Sequence, residues 1–420
     1  MIRLSMLRTV LTALVALLLV GAGTAPSQAA RQEDFDAATV EQLAEKITEI
    51  MERADIPGVT IGLWIPGRGE YVKSFGVSDT KTGTPMTSDL HMRIGSVTKT
   101  FTVEGLLLLV DQGRVGLDDP IATYVAGVPQ GDRITLRELA GMRSGLFDYS
   151  EDESWMQSLL ADPQRIYTPQ QLLDYAFAHP LNFPPGTKWE YSNTNLVLLG
   201  MVIEKVTGQR LGAYLEQAVY QPLKLSETSF PTTNGIPDPY AQGYTDFTKD
   251  ESVTAATHWN PSWAWAAGAM ISTLDDLHTW VPALADGRLL GPRTQDQRLE
   301  FRPVGYPGVS YGLGIMRVDG WIGHNGDLPG YETLAVQLPS QKATLVILIN
   351  SDINYKGDSL STMLGRAVTS VVTPDHVFDL PSAAQSGQQT PTPSPWDRTA
   401  VRNSQKQSDK TLAAQVGRRA

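Results

Sequence analysis

Cysteine is absent from all 420 residues. That excludes disulfides, thiolate metal sites, a cysteine nucleophile and a lipid-modified N-terminal cysteine. No Gly-x-Ser-x-Gly elbow occurs, which speaks against an ordinary α/β-hydrolase. Neither His-Glu-x-x-His nor a glycine-rich loop ending in Lys-Ser/Thr is present. Five of the six histidines (His91, His179, His258, His278, His376) show no metal-ligand spacing and read as structural. No metal and no cofactor is therefore expected. Basic residues are outnumbered, 34 Lys and Arg against 45 Asp and Glu, for a net charge of −11. An acidic surface argues against nucleic acid as a partner. Long apolar runs are missing too. The run over 10–20, after Arg3 and Arg8 and before Ser27-Gln28-Ala29, is far short of the ~20 residues of a membrane span. It reads as the core of a secretory signal over 1–29. The mature protein is expected to be exported, extracellular or in the cell wall, without a stable membrane span and, by default, a monomer. From 381 on, Ser, Gln, Thr and Pro alternate and give way to a basic end, so 381–420 is expected to be a disordered tail. One domain over 30–380 remains.

Apolar spacing within that domain predicts a helix over 38–54 through Val40, Leu43, Ile47, Ile50 and Met51. Two strands follow, over 59–65 and 71–77, joined by the turn Pro66-Gly67-Arg68-Gly69. A helix is predicted to open at Ser96 and run through the leucines at 106–109 to Gly113. Helical signals then dominate, at 135–142, 169–178, 194–206 and 209–219. Strand signals return at 311–318, 331–338 and 343–350, and a helix over 359–372 closes the domain. Strands at both ends with helices between them predict an α/β (α+β) fold. An antiparallel sheet is flanked by the N- and C-terminal helices and interrupted by a large, mainly helical insertion. Pockets favour such junctions, so the functional groove is expected where insertion meets sheet.

Ser96-Val97-Thr98-Lys99 places a hydroxyl and an amine three residues apart on one helix face. A serine hydroxyl is a weak nucleophile until a base takes its proton, and lysine is such a base only when its pKa falls. Tyr191-Ser192-Asn193 follows a Pro-Pro-Gly turn, where the phenol of Tyr191 could relay protons and Asn193 could bond a substrate carbonyl. His324-Asn325-Gly326, followed by Asp327, falls at the edge of a late strand, which can pair with an extended substrate. The N–H of Asp327 could join that of Ser96 as an oxyanion hole. Each motif alone has a bland reading: a helix cap, a half-buried aromatic, a structural histidine. Their order and joint presence argue for catalysis.

With these residues the chain resembles the class C β-lactamase and D-alanyl-D-alanine carboxypeptidase family, the penicillin-recognising serine hydrolases, and within it the secreted actinobacterial carboxypeptidases. Asp132-Arg133-Ile134-Thr135, Arg143-Ser144-Gly145-Leu146, Ser262-Trp263-Ala264 and Tyr311-Gly312-Leu313-Gly314 extend the likeness. The resemblance implies Ser96 as nucleophile, Lys99 as base and Tyr191 as proton relay. It puts His324 where many β-lactamases have lysine, and makes Trp263 a wall of the pocket. Substrate contacts fall to Asn193, Trp263, Asn325, Gly326 and Asp327. The implied activity is acyl-enzyme hydrolysis, D-alanyl-D-alanine carboxypeptidase action on peptidoglycan stem peptides foremost, with β-lactams as inhibitors. An esterase, amidase, D-amino-acid peptidase or weak β-lactamase is the alternative. Where the carboxypeptidases have two threonines and an arginine to hold a terminal carboxylate, this chain has Asn325, Asp327 and Met316; Arg317 lies one residue off. An Asp327 side chain facing the pocket would repel a carboxylate.

Overall fold

The computed structural model describes residues 35–381. The leader expected over 1–29 and the tail from 382 onward lie outside the described residues. Helix α1 (Ala37–Arg53) opens on Asp36, whose carboxylate accepts the Thr39 N–H at 2.9 Å, and buries Leu43, Ile47, Ile50 and Met51. Such a cap satisfies a donor the first helical turn leaves free. Strands β1 (Gly58–Ile65) and β2 (Gly69–Asp79) form the expected hairpin, and β3 (Thr84–Pro85) adds a short edge.

The helical insertion begins with α2 (Thr98–Asp111), and α3 (Leu136–Ala140), α4 (Asn193–Thr207), α5 (Trp265–Gly268) and α6 (Leu274–Asp286) belong to it. The chain then re-enters the sheet as β4 (Arg302–Pro303), β5 (Val309–Tyr311), β6 (Met316–Val318), β7 (Trp321–Leu328), β8 (Tyr331–Leu338) and β9 (Ala343–Ile349), before α7 (Leu360–Val372) closes it. The nine strands lie in the order β3-β2-β1-β9-β8-β7-β6-β5-β4, and every neighbouring pair is antiparallel. All residues of β1, β8 and β9 are buried. Strands β1 and β9 therefore read as nearly continuous apolar runs rather than alternating ones, because both faces of the central sheet are covered, whereas β8 also buries Glu332, Thr333 and Gln337. Helices α6 and α7 pack on β8 and β9, and α7 packs on α1.

Two boundaries differ from expectation in ways that shape the site. The segment 311–318 is a hairpin rather than one strand: Gly314 adopts φ +64, the Gly312 N–H bonds the Ile315 carbonyl at 2.8 Å, and Tyr311 pairs with Met316. Positive φ is cheap only for glycine, so the apolar run breaks there. Nor does the helix open at Ser96. A 3-10 turn, Gly95–Val97, carries the serine, and α2 starts at Thr98.

Candidate active site

Strand β7 pairs with β6 only over its first three residues, so 324–328 run free of a strand on that side and lie against the turn holding Ser96. The approach is close. A Cβ on Gly326 would fall 2.0 Å from the Ile94 carbonyl oxygen and 3.0 Å from the Ser96 nitrogen; one on Gly95 would fall 2.5 Å from the Asp327 nitrogen. Only glycine fits at either position. The two glycines bring the backbone N–H groups of Ser96 and Asp327 side by side.

Ser96 Oγ receives two donors, Lys99 Nζ at 2.9 Å and the Tyr191 hydroxyl at 2.8 Å. Lys99 is entirely buried within α2 and also donates to the Ala267 carbonyl on α5 at 2.8 Å, while its ammonium sits 4.8 Å from the Tyr191 ring centroid. Burial holds its pKa down to about 7, against an upward pull from Asp148. A lysine so placed exchanges its proton near neutrality. Burial, reinforced by Tyr311, pushes the Tyr191 hydroxyl well above its ordinary range, so it remains a neutral phenol and a donor.

His324 is near but is not a cation. Its Nδ1 lies 2.5 Å from the Asn325 carbonyl, which can only accept, so Nδ1 carries the proton and Nε2 accepts the Tyr311 hydroxyl at 3.1 Å. Burial, then the charge of Lys99, lowers its pKa to about 3.

The side chains of three of the expected substrate contacts are engaged elsewhere or turned away. Asn193 Nδ2 is already committed, to Asp148 Oδ2 and Ser150 Oγ, both at 3.1 Å. Trp263 is 3% exposed, packed against Trp155 with its carbonyl accepting the Tyr149 hydroxyl at 2.6 Å, so it is core rather than pocket wall. Strand alternation turns Asp327 from the His324 face toward Glu332, its cross-strand partner. Burial first, then Glu332 and Asp352, pushes its carboxyl far above the usual carboxylate range. Asn325 is half-buried and shares that alternation. Met316 is buried, whereas Arg317 points outward, donating to Ser310 Oγ at 3.1 Å and lying 4.5 Å over the Phe301 ring.

Asp148 and Tyr311 belong to the site and carry no spacing signal that singles them out. The loop holding Asp148 is zipped to the start of α4. Thr194 Oγ1 donates to the Phe147 carbonyl at 2.7 Å and accepts the Tyr149 N–H at 3.1 Å, and Ser144 Oγ donates to Asn195 Oδ1 at 2.6 Å. Among the described residues no group of three or more His, Cys, Asp or Glu is arranged to hold a metal ion, and no helix is long and apolar enough to cross a membrane.

Comparison with known proteins places this geometry. The Beta-lactamase family model matches residues 43–369. Penicillin-binding protein 4* of Bacillus subtilis is 26% identical over 303 residues, covering 67% of this chain and 65% of its own length, so the match spans just under two thirds of that relative. A crystal structure of a D-stereospecific amidohydrolase from Streptomyces superposes with a TM-score of 0.72 at 32% identity, covering 81% of this chain and 99% of the other. The D-amino acid amidase of Ochrobactrum anthropi SV3, solved with L-phenylalanine amide, gives 0.71 at 28% identity, covering 80% and 98%. The chain is a serine hydrolase that belongs to the beta-lactamase family, alongside the penicillin-binding proteins.

Proposed function

We propose that the protein is an exported hydrolase that cleaves amide bonds of D-configured aminoacyl substrates through an acyl-enzyme on Ser96. Neutral Lys99 takes the hydroxyl proton as Ser96 Oγ attacks the carbonyl carbon. The oxyanion forms against the N–H groups of Ser96 and Asp327, fixed donors in a dry site. The C–N bond then breaks as Tyr191 donates its proton to the leaving amine and regains one from Lys99. Water repeats the sequence on the ester, releasing the acid and restoring Ser96.

The observation that carries the choice of substrate is that none of His324, Met316 and Arg317 offers a cation to a terminal carboxylate. His324 is neutral, Met316 is apolar and Arg317 is turned away. An uncharged leaving group suits this surface better than a free D-alanine carboxylate, and the likeness to two D-specific amidases supports the same reading. The carboxypeptidase reading, first from the motifs alone, becomes second. Acylation of Ser96 by β-lactams is expected under either.

Ammonia release from D-phenylalanine amide, set beside D-alanine release from diacetyl-Lys-D-Ala-D-Ala, decides between them. The amide is expected to have the higher kcat/KM, by about tenfold or more. Faster D-alanine release would return the carboxypeptidase to first place.

Gly326→Ala gives a further prediction. The added methyl must push β7 off the turn and displace the Asp327 N–H, so kcat should fall by about 10²–10³. A kcat within about threefold of the parent would remove these two N–H groups from oxyanion stabilisation.

A further inference from the structure

Asp148 takes no part in the steps above, yet its carboxylate is buried between the two segments that carry them. It is 2% exposed. Oδ2 accepts both the backbone N–H of Asn193 at 3.0 Å and Asn193 Nδ2 at 3.1 Å; Oδ1 accepts the Ser150 N–H at 3.0 Å and Ser150 Oγ at 2.8 Å. Four donors on one carboxylate favour its charged form. Asn193 lies two residues beyond Tyr191, so these bonds fasten the stretch of chain that presents the phenol to Ser96. Lys99 makes no hydrogen bond to Asp148; its donors go to Ser96 and Ala267. The two act on each other through space, each favouring the other's ionised form while burial opposes both.

Five of the titratable groups around this pair, Glu151, Tyr149, Tyr191, Tyr311 and His324, are shifted toward their uncharged forms. Burial, and then Asp148 itself, pushes the Glu151 carboxyl up to about 9. The Tyr149, Tyr191 and Tyr311 hydroxyls are pushed up by burial, and His324 is neutral. Glu190, against Glu151, is bonded to Asn182, and His179 is paired with Asp152 at 2.8 Å. Lys99 and Asp148 thus act on each other behind the serine.

We propose that Asp148 is a positioning residue that also acts electrostatically. Its buried negative charge sets how tightly Lys99 holds a proton, and its hydrogen bonds hold the Tyr191 segment against Ser96. The inference rests on Lys99 acting as the base. A buried amine with no counter-charge would stay neutral over a wide pH range, but it would be too weak a base to draw the proton from a serine. Asp148 restores that basicity without touching the nucleophile, and so leaves Lys99 free to bond it.

The test is the pH dependence of Ser96 acylation by p-nitrophenyl acetate, an activated ester that needs no knowledge of the natural substrate. Asp148→Asn keeps the shape and removes the charge. Its acid limb is expected to move at least one unit lower, tenfold in proton affinity, with a lower plateau. Ser150→Ala removes a hydrogen bond while keeping the charge, and should lower the rate with the limb in place. A limb that stays put in Asp148→Asn, or moves upward, overturns the proposal. The unaltered protein answers the same question if that variant does not fold. The Lys99 ¹³Cε signal, assigned with Lys99→Arg, should show a second inflection as Asp148 protonates, and a single-step curve counts against the charge. If the parent protein is not acylated at Ser96 at all, the catalytic reading fails and this one falls with it. Acylation with an unmoved limb removes only Asp148's part.

Discussion

Ser96→Ala is expected to lower hydrolysis of any accepted amide or ester by about 10³–10⁶, leaving only what an oxyanion site and substrate binding provide without a nucleophile. The fold should persist. Ser96 sits in a short turn rather than in a packed helix, and Lys99 keeps its bond to the Ala267 carbonyl when the hydroxyl is gone. Steady-state kinetics and a thermal melt on the same sample separate the two effects. A variant retaining more than about a tenth of the parent activity would mean that another group attacks the substrate.

Glu104→Ala should cost stability rather than chemistry, by about 3–5 kcal/mol. Glu104 lies on α2, the helix that begins just after the Ser96 turn, and pairs with Arg298 Nη2 at 2.5 Å; the side chains are 2% and 1% exposed. Arg298 Nε and Nη1 are buried without hydrogen-bond partners among the described residues, so removing Glu104 strands the guanidinium. The carbonyl of Arg298 accepts the Leu313 N–H at 3.0 Å, tying this pair to the β5–β6 hairpin that carries Tyr311. Urea unfolding measures the loss. The double variant Glu104→Met/Arg298→Met should regain most of it, because a well-packed apolar pair avoids the desolvation of two charges. A loss below about 1 kcal/mol in Glu104→Ala would show that the arginine finds another acceptor.

Much of this was legible in the sequence because it is local. Leu43, Ile47, Ile50 and Met51 announce α1 by helical spacing, and they are its buried face. Ser96 and Lys99, one turn apart, announce their hydrogen bond. Tyr191 reaches Ser96 across 95 residues, and its arrival there could be expected only from the joint presence of the motifs. Arg317, one residue off the expected position, points outward and bonds Ser310.

What stayed hidden is decided by tertiary surroundings. Asn193 has the residue type of a substrate ligand, but a carboxylate 45 positions away had claimed its amide. Trp263 follows the expected motif, yet Trp155 and Tyr149 enclose it. His324 was identifiable as a site residue but not as a neutral one, since its charge depends on burial and on Lys99. Asp327 reads in the sequence as a threat to an anionic substrate. Its side chain turns instead toward Glu332 across the strands, and burial raises its carboxyl well above the usual carboxylate range.

The assignment of Ser96 is tested most directly by exposing the full chain to benzylpenicillin, digesting it and locating the adduct by mass spectrometry. One equivalent of penicilloyl group on the peptide bearing Ser96, absent in Ser96→Ala, is the predicted result. An adduct on any other residue, or a protein that stays unmodified by penicillin and by the activated ester alike, would contradict the assignment of Ser96 as the nucleophile.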